Sequence, residues 1–376
     1  MYRKTKTTLS DKTMRLIITK SAIIIFVAFS VLIVIYYTNI QFKCNNHYAH
    51  MSATPEVNSM RYIIHRILNK SPIEYIKFVN NNTICFSGID GSVTVYDLSS
   101  YRSRQILKHP RAVRCLQLLE ESYLVTSCDD GNFRKWSLKN YNLENEWRIN
   151  DDQEIVYSMF IISHDNKYLM TISDSLKARY SILDLNLNKI IVKNASDSKE
   201  FIMDITNFKN TKALTVGLFG FISVRSLCDG HIIQRHRMNT RFNTPFYKIS
   251  IRNDEDLAAC ALFESENVYV IDTSNYNIQD KIITKGNAES VAWDPSGRYL
   301  AIGCQINRPF SKARIYIYDS MTKAIVSILR VHDYSVNSLA FSPSGDSLIS
   351  CGDDSIVNII DFKSIRTQRF MKQDTK

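Results

Sequence analysis

Three side chains of the kinds that bind transition metals stand close together near the start of the chain, in the stretch CNNHYAH. Cys44, His47 and His50 are three residues apart, so on a helix they would share one face and present a thiolate and two imidazoles to an ion such as zinc. A closed zinc site needs a fourth ligand, and the neighbouring sequence offers none. A polar linker that carries these residues by chance explains the stretch better, and we predict no metal site.

The sequence patterns of common enzyme sites are missing from the chain. It has no Gly-x-Ser-x-Gly elbow, no phosphate-binding glycine loop, no His-Glu-x-x-His and no Cys-x-x-Cys. His164 and Asp165 are adjacent in a predicted turn, where a solvated surface pair is the ordinary outcome. We therefore expect a protein that is not an enzyme and that uses no cofactor.

A histidine, a hydroxyl residue and an aspartate recur at similar spacing in two parts of the chain. The sets are His109, Thr126 and Asp130 with Trp136, and His332, Ser350 and Asp354. Polar groups of this kind are stable in a core only when each one is hydrogen-bonded, so each set predicts a rigid buried network with a structural role. Ile360 stands where the second set would carry its tryptophan, so we expect the second network to be shorter.

The second set lies in residues 331–362, a stretch that predicts an antiparallel meander. Three apolar runs at about ten-residue spacing are separated by a Ser-Pro-Ser-Gly turn and an Asp-Asp-Ser turn. One small sheet of this kind cannot bury both of its faces, so further copies of the pattern are required for a stable fold.

The same pattern recurs along the chain with a period of about 40–47 residues. The third strand of each copy closes on an aspartate or a serine, at Asp97, Ser137, Asp184, Ser226, Asp272, Asp319 and Asp361. With its histidine-to-aspartate frame and the final aliphatic-Asp pair, the pattern resembles the WD repeat, in which that pair is usually Trp-Asp. The resemblance is strong in copies one, two, six and seven, and rests on the period alone in copies three to five, which lack the histidine.

The resemblance to the WD-repeat family implies an all-β fold, a seven-bladed WD-repeat β-propeller over residues 61–372. A closed ring has no free sheet edge, so the last blade must receive its outer strand from elsewhere in the chain. Residues 63–68, which precede the first copy, are in position to supply it. Residues 366–371 form a second candidate for the same place.

Composition divides the sequence before the propeller into three regions. Residues 1–15 are a basic tail, and residues 38–60 form a polar linker. Between them, residues 16–37 are almost uniformly apolar and long enough to cross a bilayer as one transmembrane helix, if Lys20 reaches the interface. A cleaved signal peptide is the alternative, but the apolar run is longer than such peptides usually have. We expect a single-pass membrane protein, in the endoplasmic reticulum for example.

Two signals disagree about the side of the membrane that the propeller faces. Six basic residues lie within residues 1–20, including Lys20 near the start of the apolar run, and Lys43 alone follows the run closely, so the positive-inside rule places the propeller away from the cytosol. The cysteines favour a reducing compartment instead, because they fall on the second strands of different copies, too far apart for disulfides. These cysteines are Cys85, Cys128, Cys260, Cys304 and Cys351. The sequence leaves the side open.

Binding positions follow from the resemblance, since WD-repeat propellers bind partners through a loop-rich upper face and a central channel. Residues beside the histidine turn, or just before the hairpin aspartate, would be exposed there. These partner-binding candidates are Arg111, Asp129, Tyr334 and Asp353. Arginine and tyrosine are common anchors of protein interfaces.

Two further stretches are candidates for contact with partners. Residues 231–241, between the fourth and fifth copies, carry Arg235, Arg237 and Arg241 and would suit an anionic lipid or an acidic partner, with a solvated loop as the alternative. Phe310 lies in an insertion that lengthens a hairpin of the sixth copy, and would present an aromatic ring for docking.

The predicted function is a membrane-tethered scaffold that recruits partner proteins, for example in trafficking or organelle assembly. The alternative is an extracytoplasmic or lumenal propeller that binds a ligand or acts as an enzyme through its loops, and glycosylation at Asn81 or Asn194 would favour it. The chain carries a net charge of +10, half of which lies in residues 1–20. The remainder is too small to indicate nucleic-acid binding, so we expect no nucleic-acid partner.

Overall fold

The computed structural model describes residues 59–149, 158–173, 179–196, 200–238, 245–305 and 312–373. Nearly all of the region before the propeller, including the predicted apolar span at residues 16–37, lies outside the described residues. Among the described residues, the structure has no helix long and apolar enough to span a membrane.

Twenty-eight strands of the described chain form seven four-stranded antiparallel sheets, and these are the blades of a β-propeller. A 3₁₀ turn, Ser59–Tyr62, leads into β1 (Ile63–Leu68). Blade one is β2 (Ile73–Asn80), β3 (Thr83–Gly88), β4 (Ser92–Asp97) and β5 (Arg102–Lys108); blade two is β6 (Val113–Leu119), β7 (Tyr123–Cys128), β8 (Asn132–Ser137) and β9 (Leu143–Arg148). Blade three is β10 (Ser158–Ile162), β11 (Tyr168–Ser173), β12 (Arg179–Asp184) and β13 (Lys189–Ser196); blade four is β14 (Ile202–Phe208), β15 (Lys212–Gly217), β16 (Phe221–Ser226) and β17 (Ile232–Arg237).

Blade five is β18 (Phe246–Ile251), β19 (Leu257–Leu262), β20 (Asn267–Asp272) and β21 (Ile278–Ile283); blade six is β22 (Asn287–Trp293), β23 (Tyr299–Gln305), β24 (Ala313–Asp319) and β25 (Ala324–His332). Blade seven is β26 (Ser338–Phe341), β27 (Ser347–Cys351), β28 (Ile356–Asp361) and β1, and α1 (Phe362–Gln373) follows it. The prediction of an all-β seven-bladed propeller is confirmed.

The hydrophobic core lies between adjacent blades. The middle strands β3 and β4 are buried along their whole length, because neighbouring blades cover both of their faces, whereas the outer strand β5 is mostly exposed. One cluster joins Cys85 and Leu107 of blade one to Leu116 and Trp136 of blade two. Each blade therefore depends on its neighbours for burial, as expected for a repeat fold.

The ring is closed by β1, which pairs antiparallel with β28. The prediction that residues 63–68 supply the outer strand of the last blade is confirmed, and the competing prediction of a strand at residues 366–371 is wrong, because those residues belong to α1. The Asp361 carboxylate accepts a hydrogen bond from the backbone N–H of Ser364 at 2.9 Å, as an N-terminal helix cap does. Phe362 is fully buried against Phe341, which holds the start of the helix on the core.

The residues that mark the period all end the third strand of a blade, as predicted. In the aspartate copies of blades one, three, five and six, the carboxylate accepts backbone N–H bonds from the turn to the outer strand; Asp319, for example, accepts from Met321 at 3.0 Å. In the serine copies the hydroxyl oxygen does the same, as Ser137 accepts from Lys139 at 3.3 Å. In blade seven, Asp361 caps α1 instead. The repeat period is thus visible in the sequence because the backbone N–H groups that follow each third strand need a short side chain as hydrogen-bond acceptor.

The seven cysteines among the described residues are free, and six of them are buried. The five predicted to lie on second strands do so, each in a different blade. Burial raises the pKa of the Cys85 and Cys304 thiols to about 12, so these thiols stay protonated and behave as small apolar core residues.

Candidate functional site: the upper mouth of the central channel

The first strands of the blades surround a central channel with a cavity volume of about 1030 Å³. We call the end at which these inner strands begin the upper end, and in a four-stranded meander the turns between second and third strands lie at the same end. We use the name upper mouth for eight residues at this end, seven that line the channel and Asp129 of the adjoining turn: Glu74, Arg114, Asp129, Met203, Tyr247, Glu289, Asn337 and Asp353.

Five of the inner strands share a register shift near their start, at the second residue in four of them and at the third in β22. The shift falls between Ile73 and Tyr75 in β2, and at the corresponding place in β6, β14, β18 and β22. A residue skipped in this way is re-aimed relative to its neighbours. The skipped residues all line the channel and are Glu74, Arg114, Met203, Tyr247 and Glu289. The repeated irregularity therefore builds most of the upper mouth.

On one side of the mouth, an arginine joins blade one to blade two. Arg114 Nη1 lies 3.0 Å from Glu74 Oε1, and its Nη2 lies 2.8 Å from Asp129 Oδ2. Its Nε donates a third bond, of 3.0 Å, to Asp129 Oδ1. A planar guanidinium that binds two carboxylates fixes their positions more firmly than a lysine would.

On the other side, neutral donors hold the carboxylate of blade seven. Asn337 Nδ2 donates to Asp353 Oδ1 at 2.8 Å and to the backbone oxygen of Ile73 in blade one at 3.0 Å. Ser335 Oγ donates to Asp353 Oδ2 at 2.9 Å. Asp353 is therefore ordered by hydrogen bonds while its negative charge is not neutralised by the residues that hold it.

Burial and neighbouring charges change the pKa values of two carboxylates of the mouth. Burial raises the pKa of Glu74; Arg114 opposes that rise, and Asp353 adds to it. Burial also raises the pKa of Glu289; Lys248 opposes the rise, and Asp353 again adds to it. Asp353 thus acts on carboxylates of both neighbouring blades, which places three acidic groups in one electrostatic neighbourhood.

Below the mouth, polar side chains of the inner strands bond across the boundaries between blades. Lys77 Nζ of blade one donates to Gln117 Oε1 of blade two at 2.7 Å, and Gln117 Nε2 donates to a backbone oxygen of blade three at 3.2 Å. Asn207 of blade four and Ser290 of blade six bond in the same way to blades three and seven. The channel wall is therefore a rigid polar surface, a suitable base for a binding site.

The four predicted upper-face candidates lie at the expected end of the propeller but in different surroundings. Tyr334 is 65% exposed, and Arg111 is also exposed. Asp129 and Asp353 are bonded within the molecule, to Arg114 and to Asn337 and Ser335. Sequence reasoning concentrated on loops and missed the residues skipped by the register shifts near the start of the inner strands. The alternation of apolar and polar residues in these strands was visible in the sequence. The register shifts were not, because a shift depends on how one strand pairs with another.

The described part of the basic stretch is mostly a strand. Residues 232–237 form β17, the outer strand of blade four, paired with β16. Arg235 points inward, where its Nε donates to Glu200 Oε1 at 2.9 Å, so it serves an internal ion pair. Arg237 is exposed and lies over the ring of Phe221. Arg241 and Phe310 lie outside the described residues.

In blade two, the predicted polar network forms without its aspartate. Trp136 Nε1 donates to Thr126 Oγ1 at 3.1 Å, the Thr126 hydroxyl lies 2.8 Å from His109 Nε2, and His109 Nδ1 lies 3.2 Å from the backbone oxygen of Gly91. Asp130 binds Arg134 at 2.5 Å instead of His109, which corrects the prediction. The arginine two residues before Trp136 competes for the carboxylate because a charged pair is the stronger hydrogen bond.

In blade seven, the network is not cut short at Ile360. His332 Nδ1 lies 3.0 Å from Asp354, and its Nε2 lies 2.8 Å from Ser350 Oγ. Asn358, two residues before Ile360, adds a bond of 3.1 Å from its Nδ2 to His332 Nε2. The prediction of a shorter network is wrong, because a polar residue on the same face of the strand supplies the missing donor.

Blade four lacks the histidine and holds an ion pair at the corresponding place. Glu200, just before β14, binds Arg225, and the two side chains are 2% and 1% exposed. The Ser223 hydroxyl donates to the same carboxylate. Nothing in the repeat pattern predicted this pair, because a glutamate replaces the histidine of the other blades.

Metal binding has no support among the described residues, where no group of three His, Cys, Asp or Glu side chains is arranged to hold an ion. The CNNHYAH stretch lies outside the described residues.

Comparison with known proteins agrees with this architecture. Residues 323–361 match the family described as WD domain, G-beta repeat. An uncharacterized WD repeat-containing protein of Schizosaccharomyces pombe is 32% identical over 120 residues, which cover 31% of this chain and 29% of that relative. The matched region therefore spans less than a third of the curated relative.

A solved structure has the same fold. The crystal structure of the Cps50 (Swd1) β-propeller domain of Myceliophteria thermophila superposes with a TM-score of 0.67 at 13% identity, covering 80% of this chain and 98% of that domain. The seven sheets make the chain a seven-bladed β-propeller, and residues 323–361 carry a matched WD repeat.

Proposed function

We propose that this chain is a protein-interaction scaffold whose propeller recruits partner proteins through its upper face. The observation that carries the proposal is the upper mouth, where side chains from six blades converge on one cavity. Converging polar groups on a rigid concave surface are the usual mark of a binding site. Exposed Tyr334 and Arg111 at the same end add side chains of the types that anchor interfaces.

We propose a non-catalytic role for this surface. Its charged groups are engaged in contacts that join neighbouring blades, such as Arg114 with Glu74. The Asn337 side chain likewise spans blades seven and one. Groups held in this way favour a preformed docking surface over a site whose residues must exchange protons or bonds with a substrate.

We further propose that residues 16–37 tether the propeller to a membrane as a single-pass helix, and that the scaffold acts there, for example in trafficking or organelle assembly. The support is the length and the apolar character of that run. The exposed Arg237 on β17 is a secondary candidate for contact with anionic lipid or an acidic partner. Extraction of membranes with alkaline carbonate should leave the full chain in the pellet, whereas release into the supernatant would contradict the tether.

Protease protection decides the side of the membrane. Unpaired buried cysteines support a cytosolic propeller, and the basic residues before the apolar run support the opposite side. In sealed, right-side-out microsomes, digestion of the propeller without detergent would establish the cytosolic side. Protection until detergent is added would establish the lumenal side and favour the alternative function.

Photo-crosslinking tests the scaffold itself. Benzoylphenylalanine is placed at Tyr334, 65% exposed at the upper end, or at Met321, 75% exposed in the turn after β24 at the lower end. We expect crosslinked partner bands from position 334 in the full chain in cells, and few from position 321. Bands from position 321 alone, or the same bands from both positions, would contradict the proposed use of the upper face.

A further inference from the structure

We infer that the upper mouth, between blades six, seven and one, binds a lysine or arginine side chain of a partner polypeptide. The inference rests on the proposed scaffold function, because it specifies the chemistry of the partner that this surface accepts. It is argued from the arrangement of Glu289, Asp353 and Glu74, and from a buried carboxylate of blade four that lines the same cavity.

Three consecutive blades each bring one carboxylate to the mouth. Glu289 comes from blade six, Asp353 from blade seven and Glu74 from blade one. Arg114 binds Glu74 from the side of blade two, and Lys248 acts on Glu289 from the side of blade five. Between these two cations stands Asp353, held by Asn337 and Ser335, which carry no charge. The negative potential is therefore concentrated around Asp353.

A second observation lies in the same channel. Asp204 lines the cavity and is only 4% exposed. Its Oδ2 accepts a hydrogen bond of 2.9 Å from the backbone N–H of Ile249, and its Oδ1 accepts no side-chain hydrogen bond among the described residues. Burial raises the pKa of Asp204, and the positive charge of Lys248 opposes that rise. A buried carboxylate oxygen without a donor is unfavourable, so a donor brought by a ligand would satisfy it.

The arrangement suits an organic cation better than a metal ion. Among the described residues, no three carboxylate, thiol or imidazole groups come close enough together to hold a metal. Carboxylates spread around a wide opening can instead share the several N–H donors of a guanidinium or an ammonium group. The chain as a whole carries a net charge of +10, so a cationic peptide gains little from the rest of the surface.

Titration behaviour agrees with this geometry. Burial raises the pKa of Glu74 and of Glu289, and Asp353 adds to the rise in both. Bound positive charge would reverse part of that rise, so binding should release protons and should weaken as the pH is lowered. The groups that face these carboxylates also include Arg114, Asp129, Lys248 and Glu264, and the pH profile reports the whole set.

The test measures binding of a fluorescent tetra-arginine peptide to the full chain by anisotropy at low salt, with a tetra-citrulline peptide as the uncharged analogue. We expect tetra-arginine to bind and tetra-citrulline to bind at least about tenfold more weakly. The double variant E289Q/D353N should weaken tetra-arginine binding about tenfold. The matched control E144Q removes one exposed carboxylate on outer strand β9 and should change affinity by less than about twofold.

A second variant protects the test against misfolding of the first. M203K adds a positive charge at the mouth without removing a carboxylate, and it should also weaken tetra-arginine binding about tenfold. Thermal melting checks that each variant is folded. Equal affinity for tetra-arginine and tetra-citrulline, no binding of tetra-arginine to the unaltered chain, or unchanged binding by both E289Q/D353N and M203K would overturn the inference.

The crosslinking experiment separates this inference from the scaffold proposal. If position 334 crosslinks the same partners in the unaltered chain and in E289Q/D353N, the scaffold stands and the cationic contact is wrong. If position 334 crosslinks no partner in either protein, the scaffold proposal fails, whatever the peptide measurements show.

Discussion

Blades two and four place different chemistry at equivalent positions. Blade two ties the loop before its inner strand to its third strand with a neutral network of His109, Thr126 and Trp136. Blade four ties the same two parts with a buried ion pair, Glu200 and Arg225. Trp136 and Arg225 are each the last residue but one of their third strands, so the two side chains reach the same part of the blade.

The difference shows that the fold requires a link between the loop before the inner strand and the third strand, and that either a neutral network or an ion pair can form this link. The two solutions should nevertheless respond differently to perturbation. A neutral network loses single hydrogen bonds when it is altered, whereas an altered ion pair leaves a charge without its partner in a dry interior.

Removing the acid of blade four should have the largest effect. In E200Q, Arg225 keeps its charge at 1% exposure without a carboxylate to balance it. We expect the free energy of unfolding to fall by about 3–5 kcal/mol, measured by urea denaturation. The double variant E200M/R225M removes the buried pair and leaves only the partly exposed Arg235 without the Glu200 carboxylate, so it should recover part of the loss. A decrease of less than about 1 kcal/mol in E200Q would contradict the assigned role of the pair.

The histidine of blade two should make stability depend on pH. Burial, aided by Arg134, lowers the pKa of His109 from 6.5 to about 4. Between pH 6.5 and 4, the unfolded chain therefore binds a proton at His109 that the folded chain does not bind. The free energy of unfolding falls as the pH is lowered through this range. We expect a loss of about 3 kcal/mol between pH 6.5 and 4 that is absent from H109Q.

H332Q in blade seven is the control for this pH dependence, since it leaves His109 intact. H332Q should lower the free energy of unfolding. It should leave unchanged the part of the pH dependence that His109 contributes. If H109Q retains the full slope between pH 6.5 and 4, the dependence arises elsewhere.

A matched pair of threonine substitutions compares the two blades directly. Thr126 accepts from Trp136 and bonds His109, so T126V should lower the free energy of unfolding by about 1–3 kcal/mol. Thr215 occupies the corresponding position in blade four and donates only a weak bond of 3.3 Å to the backbone oxygen of Ser223. T215V should lower the free energy of unfolding by less than about 1 kcal/mol in the same urea measurement. Equal losses in T126V and T215V would mean that the two hydroxyls contribute equally to stability.

The smallest effect is expected at the turn that follows the third strand, where the two blades are alike. Ser137 and Ser226 each accept one backbone N–H, from Lys139 and Cys228. Asp319 accepts two at the corresponding turn of blade six. S137D and S226D should therefore be tolerated, with a gain of up to about 0.5 kcal/mol on thermal melting. Loss of folding in either variant would show that the turn positions are not interchangeable.

The sequence predicted the parts of the fold that recur in every blade. The period was visible because each third strand ends at a short polar acceptor such as Asp97 or Ser137, and the outer strand at residues 63–68 followed from the need to close the ring. The residue that fills a recurring position could not be predicted when its type changed. Glu200 in place of histidine, and Asn358 two residues before the position of the tryptophan, are examples.

The candidate site was predicted only in part. Reasoning from the repeat selected the same end of the propeller as the candidate site, and it selected Asp129 and Asp353, which belong to the upper mouth. It missed Glu74 and Glu289, because their direction depends on register shifts that arise from pairing between strands. It treated Arg235 as a surface charge, because its partner Glu200 is 35 residues away in the sequence.

Methyl NMR on methionine offers the most direct test that partners bind at the upper mouth. Met203 lines the mouth, and Met321 is 75% exposed at the opposite end of the propeller. The full chain labelled at methionine methyls is titrated with the partner identified by crosslinking, and each signal is assigned with a Met→Leu variant. We expect the Met203 signal to shift or broaden while the Met321 signal stays unchanged. A shift of Met321 with an unchanged Met203 would contradict the account.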